Sequence, residues 1–99
     1  MSLTQSELMA TLHYDSATGI FTRTYSGSGV RAGSVAGRVH NKTGHIKIAV
    51  KQKRYYAHRL AWLYVYGHWP EQALDHINGN ASDNRIANLR KADHTLNME

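Results

Sequence analysis

A polar segment in the last third of the chain, DHINGNASDNRIANLR over residues 75–90, contains residue types that can carry out chemistry. Asp75 offers a hard oxygen ligand of the kind that Mg²⁺ and Mn²⁺ prefer. His76, directly beside it, can accept a proton near neutral pH. The segment is therefore a candidate site as well as a candidate connection between two elements.

A later asparagine completes the candidate site. Asp93 is a good N-cap, so we expect a terminal helix that starts at His94 and carries Asn97 on its second turn. A strand, a turn and this helix would bring Asp75, His76 and Asn97 to one point. A metal held by one carboxylate and one amide keeps most of its waters and has room for a phosphate. Such a centre serves phosphodiester hydrolysis, in which the metal stabilises the leaving oxygen and a base activates water.

A calcium-binding loop and a plain hairpin compete with a catalytic site for the polar segment. A calcium loop of the EF-hand type needs acids or amides at alternate positions before a glycine. Asp75, Asn78 and Gly79 are out of that register and no glutamate closes the loop, so the calcium loop fails. A plain hairpin is favoured by Asn78-Gly79, which is a strong two-residue turn signal. It describes part of the local structure and does not account for the acid–histidine pair and the later asparagines.

The composition limits the class of protein. A length of 99 residues suffices for one compact domain with a modest core, and a hydrophobic share of 41% indicates a folded chain. The absence of cysteine excludes disulfides, thiolate nucleophiles and Cys-containing zinc sites. No apolar run approaches a membrane span, and the N-terminus lacks the layout of a signal peptide. We expect a soluble, cytoplasmic protein that uses no small-molecule cofactor.

The distribution of charge indicates a polyanionic partner. The net charge is +5, and no Asp or Glu occurs between positions 16 and 70. Nine basic residues lie in this acid-free stretch: Arg23, Arg31, Arg38, Lys42, Lys47, Lys51, Lys53, Arg54 and Arg59. Lys and Arg make the phosphate contacts of nucleic-acid-binding proteins, so the stretch favours nucleic acid over a membrane surface, an acidic protein or a merely solubilising surface.

Two helices are predicted. Thr4 and Glu7 have capping-box spacing, which places a first helix over about residues 5–13. The hydrophobic period changes at His58, where a second helix is expected to begin, and Gly67 suits its C-terminal cap.

Alternating patterns predict short antiparallel strands between the two helices. The strand segments are IFTRTY, SVAGRVH, HIKIAV and KRYYAH, and the last two are joined by a turn near Lys51 and Gln52. In HIKIAV, one face carries Ile46, Ile48 and Val50, and the other carries His45, Lys47 and Ala49. The fold class is therefore α+β.

The segment YYAHRLAWLYVYGHWPEQALDHINGNASDNRIANLRKADHTLN, residues 55–97, resembles the HNH endonucleases of phage and homing type, whose core is a ββα-metal finger. GIFTRT, AGSVAG and HIKIAV resemble the sequence that precedes this core. The resemblance implies that Asp75 is the metal-binding acid, His76 the general base and Asn97 a metal ligand on the helix. It also implies that Asn88 ties the loop to the strand carrying the base, and that one Mg²⁺ or Mn²⁺ ion is bound per site.

We therefore predict an endonuclease that hydrolyses double-stranded DNA; the alternative is a DNA-binding module of the same fold that does not cleave. One domain is expected, with a basic, β-rich, DNA-contacting part over residues 1–57 and the HNH core over 58–99, where the C-terminal helix is short or truncated. The candidate DNA contacts are Lys51, Lys53, Arg54, His58, Arg59, Arg85 and Arg90. A buried structural hydrogen bond would account for His58 equally well.

Some properties are left open or carry no assignment. The sequence does not fix the target site or the oligomeric state. The resemblance allows a phage-encoded protein that acts in a bacterial host. No role is assigned to the remaining histidines: His13, His40, His45, His68 and His94.

Overall fold

The computed structural model describes residues 3–27, 29–40 and 42–92. The elements are α1 (Gln5–Thr11), β1 (Leu12–Asp15), β2 (Ile20–Arg23), β3 (Arg38–Val39), β4 (Ile46–Val50), β5 (Lys53–Tyr56), α2 (Ala57–Tyr66), β6 (Leu74–His76), a 3₁₀ turn (Ile86–Asn88) and β7 (Leu89–Lys91). The strands form three antiparallel sheets, β1-β2, β3-β4-β5 and β6-β7. The predicted α+β class is confirmed. Among the described residues, no helix is both long and apolar enough to cross a membrane.

The first helix begins as predicted and ends earlier. The capping box is present, because the Thr4 side chain accepts from the backbone of Glu7 and the Glu7 carboxylate accepts from the backbone of Thr4. The expected end at residue 13 is wrong, since Leu12 adopts extended backbone angles and starts β1. Burial of Leu12 and Tyr14 on one side of this strand, against the core, outweighs the helical spacing.

The central sheet follows the predicted alternation. Ile48 and Val50 of β4 are buried, while Ala49 between them is exposed. The turn between β4 and β5 is formed by Lys51 and Gln52, both with left-handed backbone angles (φ 50° and 68°). Two successive left-handed residues give the twist that a tight β-hairpin requires.

The second helix covers the inner face of this sheet. It starts at Ala57, one residue before the predicted position, and ends at the predicted cap Gly67, which has φ 83°. Leu60 and Ala61 have no exposed surface, and the core around them draws on α1, β1, β2, β4 and β7. The sheets and helices thus share one apolar core.

The Asn78-Gly79 signal is confirmed as a turn, while the two-residue hairpin is wrong. Gly79 has φ 76° and donates its N–H to the carbonyl of His76 at 2.9 Å. The strand that pairs with β6 is β7, so the connection spans residues 77–88. A second turn, in which Asp83 donates its N–H to the carbonyl of Asn80 at 3.0 Å, extends the loop before the chain returns.

The predicted terminal helix lies outside the described residues. These end at residue 92, before the expected N-cap Asp93, the helix start at His94 and the candidate ligand Asn97.

Candidate active site

Asn88 holds the loop that follows β6. Its side-chain oxygen accepts from the backbone N–H of Asn78 at 3.0 Å, and its amide nitrogen donates to the side chain of Asn78 at 3.0 Å and to the carbonyl of Asp83 at 2.9 Å. Its own carbonyl accepts from the N–H of Ile77 at 2.8 Å. Asn88 is buried, and the bonds of its side chain are partly shielded from solvent. These bonds link Asn88 to Asn78 and Asp83 of the loop, and the role that the resemblance implies for Asn88 stays a prediction.

His76 ends β6 with its side chain buried, at 8% exposure. Its Nε2 lies 2.9 Å from the side-chain oxygen of Asn84. An amide oxygen only accepts hydrogen bonds, so Nε2 of a neutral His76 donates the proton to it. The lone pair of the ring is then at Nδ1, which is the atom that can take a proton from water.

Asn84 is a site residue that sequence reasoning missed. It is almost completely buried, and its backbone carbonyl accepts a 2.6 Å hydrogen bond from the hydroxyl of Tyr14 on β1. No local pattern distinguishes it from the neighbouring asparagines of the loop. Only its contact with His76 and its anchoring by Tyr14 do so.

Three histidine rings meet at the buried end of the site. The ring centroids of His58 and His76 are 5.1 Å apart, those of His45 and His58 5.4 Å, and those of His45 and His76 5.7 Å. Burial lowers the pKa of His58 to about 4, and the neighbouring His76 and His45 contribute in the same direction. Burial also lowers the pKa of His45. Both rings are therefore neutral at pH 7 and add no positive charge beside His76.

The sequence assigned no role to His45 and was compatible with two roles for His58. His58 is buried, at 8% exposure, and its Nδ1 has no hydrogen-bond partner among the described residues. The signal that could have placed His45 was present in HIKIAV, where alternation puts it on the face opposite the core.

Asp75 forms an ion pair with Arg90, its cross-strand neighbour on β7. The Arg90 guanidinium donates from two nitrogens, at 2.9 and 3.1 Å, and both bonds go to Oδ2 of the carboxylate. The side chain of Asp75 is 47% exposed, in contrast with the buried His76 beside it. The second carboxylate oxygen, Oδ1, takes no part in this ion pair.

The donor chemistry of Asp75 fits a divalent cation with few protein ligands. A half-exposed carboxylate with one oxygen outside its ion pair offers a hard donor beside water, as Mg²⁺ sites use. Within the described ranges, no three His, Asp or Glu side chains are grouped to hold a metal. The second implied ligand, Asn97, lies outside these ranges.

Arg85 is held by a carboxylate of its own loop. Its guanidinium donates two bonds of 2.8 Å to Asp83, which also accepts from the Asn78 side chain at 2.8 Å. The Arg85 guanidinium holds the pKa of the Asp83 carboxyl well below its usual range. As a DNA contact, Arg85 stays a prediction.

The remaining predicted cations lie in different places. Lys51 forms an ion pair with Glu7 of α1 and lowers the pKa of that carboxyl to about 2. The guanidinium of Arg59 lies 5.6 Å from the ring centre of Trp69.

Lys53 and Arg54 are exposed neighbours on β5, opposite Val50 and Ala49 respectively. Cross-strand partners share a face, and Val50 is buried whereas Ala49 is exposed, so these two cations project on opposite sides of the sheet.

A strand that ends on a buried histidine, an acid just before that histidine and a loop held by an asparagine form the candidate site. Residues 55–98 match the family model described as HNH endonuclease. Among solved structures, the HNH homing endonuclease I-HmuI, studied for DNA binding and cleavage, matches with a TM-score of 0.62 and 21% identity. The match covers 89% of this chain and 49% of I-HmuI, so the chain spans about half the length of that protein. No curated protein sequence matched. The resemblance to HNH-type endonucleases is thus confirmed.

Proposed function

We propose that this protein is a metal-dependent DNA endonuclease that hydrolyses phosphodiester bonds with His76 as the general base. The observation that carries the proposal is the contact between His76 Nε2 and the Asn84 amide oxygen at 2.9 Å. It leaves Nδ1 of a buried, well-positioned imidazole as the proton acceptor, next in sequence to the acid Asp75.

His76 and the residues around it have different roles in the proposed hydrolysis. His76 takes a proton from the attacking water at Nδ1, and Asn84 retains the proton at Nε2. Asn88 keeps the loop in register with β6. Asp75 and Asn97 would hold one Mg²⁺ or Mn²⁺ ion, which supplies Lewis-acid stabilisation of the leaving oxygen when bound.

Incubation of supercoiled double-stranded plasmid with the protein tests this proposal. Nicked or linear DNA should appear with Mg²⁺ and should be absent when EDTA is added. A protein that binds the plasmid without cutting it in Mg²⁺ or Mn²⁺ would instead be the non-cleaving DNA-binding module.

Asn84→Leu should reduce the cleavage rate, because it removes the acceptor that fixes the tautomer of His76. Loss of a hydrogen-bond partner behind a functional histidine typically costs about 10–100-fold. Asn84→Asp keeps an acceptor oxygen at the same position and should retain more activity than Asn84→Leu.

Tyr14→Phe is the comparison variant, because it removes the hydrogen bond to the Asn84 backbone and keeps the side-chain acceptor, so it should lose less activity than Asn84→Leu. Initial rates at saturating Mg²⁺, with melting curves to establish folding, give the comparison. A folded Asn84→Leu variant that cuts at the wild-type rate would rule out this role.

Asn88 and Asn97 should respond differently to replacement by alanine. Asn88→Ala leaves the partly buried N–H of Asn78 and carbonyl of Asp83 without their partner. The cost is about 1–3 kcal/mol for fully buried groups, so the melting temperature should fall by up to the equivalent of that loss. Asn97→Ala should weaken metal affinity and cleavage together and barely change the melting temperature without metal. Asn97→Asp keeps a hard oxygen donor and should retain some activity.

Metal titrations and melting curves on the two alanine variants distinguish these roles. Normal metal binding by Asn97→Ala together with impaired binding by Asn88→Ala would mean that the two roles are reversed.

A further inference from the structure

The outer face of the β3-β4-β5 sheet carries a basic concavity. Its volume is about 360 Å³, and four cationic side chains line it: Arg23, Arg38, Lys47 and Arg54. His40, Gly37, Val39 and Ala49 complete the lining, which contains no acid. We call the surface formed by these four cations the basic face.

Strand register places three of the four cations on one side of the sheet. Arg38 on β3 lies opposite Lys47 on β4, and Lys47 lies opposite Tyr56 on β5. Arg54 lies opposite Ala49, which shares the side of Lys47 because residues two apart in a strand face the same way. The pairing of β3, β4 and β5 therefore brings Arg38, Lys47 and Arg54 to the same side of the sheet.

A glycine brings β3 close to the rest of the sheet. Gly37 has φ 105°, and a Cβ at this position would lie 2.8 Å from the side chains of Ile46 and Ile48. The close approach brings the next residue, Arg38, beside Lys47 of β4.

The cations of the basic face have no carboxylate partners among residues 3–27, 29–40 and 42–92. The ion pairs there use different cations, namely Lys51 with Glu7, Arg85 with Asp83 and Arg90 with Asp75. Four cations in one concavity repel one another, and a polyanion relieves that repulsion.

The basic face continues to the candidate active site. The Lys47 ammonium lies 5.1 Å from the ring centre of Tyr56, and that ring lies 5.5 Å from the ring of His45. The ring of His45 lies 5.7 Å from that of His76. Side chains in successive contact thus connect the concavity with the proposed base.

We propose that the basic face binds the phosphate backbone of double-stranded DNA and directs it toward His76. The inference rests on the proposed function for the identity of the polyanion. The cations come from four strands, and the rings of Tyr56 and His45 connect them with the proposed base. This arrangement matches a backbone with regularly repeated charges, whereas an isolated phosphate would need fewer cations.

The same geometry separates residues that the sequence grouped together. Lys53 projects on the opposite side of the sheet from Arg54, and Lys51 lies at the far end of the hairpin, paired with Glu7. Arg54 therefore belongs to the DNA-contacting surface, together with Arg38 and Lys47, while Lys51 and Lys53 do not.

Arg54→Gln and Lys53→Gln form a matched pair for the test. The residues are adjacent on β5, both are exposed, and each change lowers the net charge of +5 by one. Binding to a fluorescent DNA duplex is measured by anisotropy in EDTA over a series of salt concentrations, so that cleavage does not contribute. Lys47→Gln is a second variant on the basic face, and melting curves establish that each variant is folded.

Arg54→Gln and Lys47→Gln should each weaken binding and reduce the slope of log affinity against log salt by about 0.9, the value for one lost phosphate contact. Lys53→Gln should leave the slope unchanged. Equal effects of all three changes, no effect of the first two, or a wild-type protein that does not bind the duplex would each overturn the inference.

Cleavage in Mg²⁺ is scored separately on the wild-type protein. A protein that shows the expected binding pattern and does not cut would disprove the nuclease activity and would support the basic face as a DNA-binding surface.

Discussion

His76→Ala is expected to remove most metal-dependent DNA cleavage and to leave DNA affinity nearly unchanged. The loss should be about 10²–10⁴ in rate, the usual contribution of a general base. Affinity should persist because the cations of the basic face, and not the imidazole of His76, contact the phosphates in our proposal. Single-turnover cleavage and duplex binding, measured on the same preparation, give the two quantities.

An exposed histidine remote from the site provides the control. His13 lies on β1 with its side chain exposed, and His13→Ala should cut at the wild-type rate. If His76→Ala also cut at that rate, His76 would not be the base. If its DNA affinity fell as far as its cleavage, the imidazole would act in binding.

Gly19→Ala is expected to lower the melting temperature by roughly 10 °C or more. Gly19 has φ 74°, and a Cβ there would lie 2.3 Å from the backbone nitrogen of Arg85 and 2.4 Å from the carbonyl carbon of Asn84. Overpacking costs about 1–3 kcal/mol and a left-handed residue with a side chain about 1–2 kcal/mol. For a domain of this size, each kcal/mol corresponds to about 4–8 °C. Displacement of Asn84 should also slow cleavage.

Gly33→Ala separates the clash from the backbone strain. Gly33 has φ 85°, similar to Gly19, and a Cβ there would meet no atom within 4 Å. It should therefore show only the smaller, conformational loss in thermal melting. Equal melting temperatures for the two variants would mean that the turn between β1 and β2 can move away from the loop at little cost.

The fold was predictable where the residues of an element show by themselves which of its faces is buried. Strand β4 places Ile46, Ile48 and Val50 on one face and Lys47 and Ala49 on the other, and α2 combines a helical apolar face with a glycine cap. Strand β1 was missed because Leu12 fits the helical spacing of α1 as well as a strand. Its pairing with β2, which decides between the two, is not a local property.

The candidate site was predictable only in part, for the same reason. The resemblance proposed roles for Asp75, His76 and Asn88 at matching positions. The resemblance assigned no role to Asn84 or His45, whose importance comes from contacts with His76 that exist only in the folded chain. Likewise, a strand over KRYYAH implies that Lys53 and Arg54 face opposite ways, and only the register shows that Arg54 is the one that shares the face of Lys47.

The hydrogen bond from Tyr14 to Asn84 affects whether this site could be transferred to another protein. The family match begins at residue 55, yet Asn84, which contacts His76 Nε2 at 2.9 Å, is anchored by a tyrosine 70 positions away from it, on β1. A graft of the matching segment alone onto another scaffold would lack this hydroxyl and the glycine turn beside it. The N-terminal strands thus support the candidate site, and we expect a graft to need them as well as the matching segment.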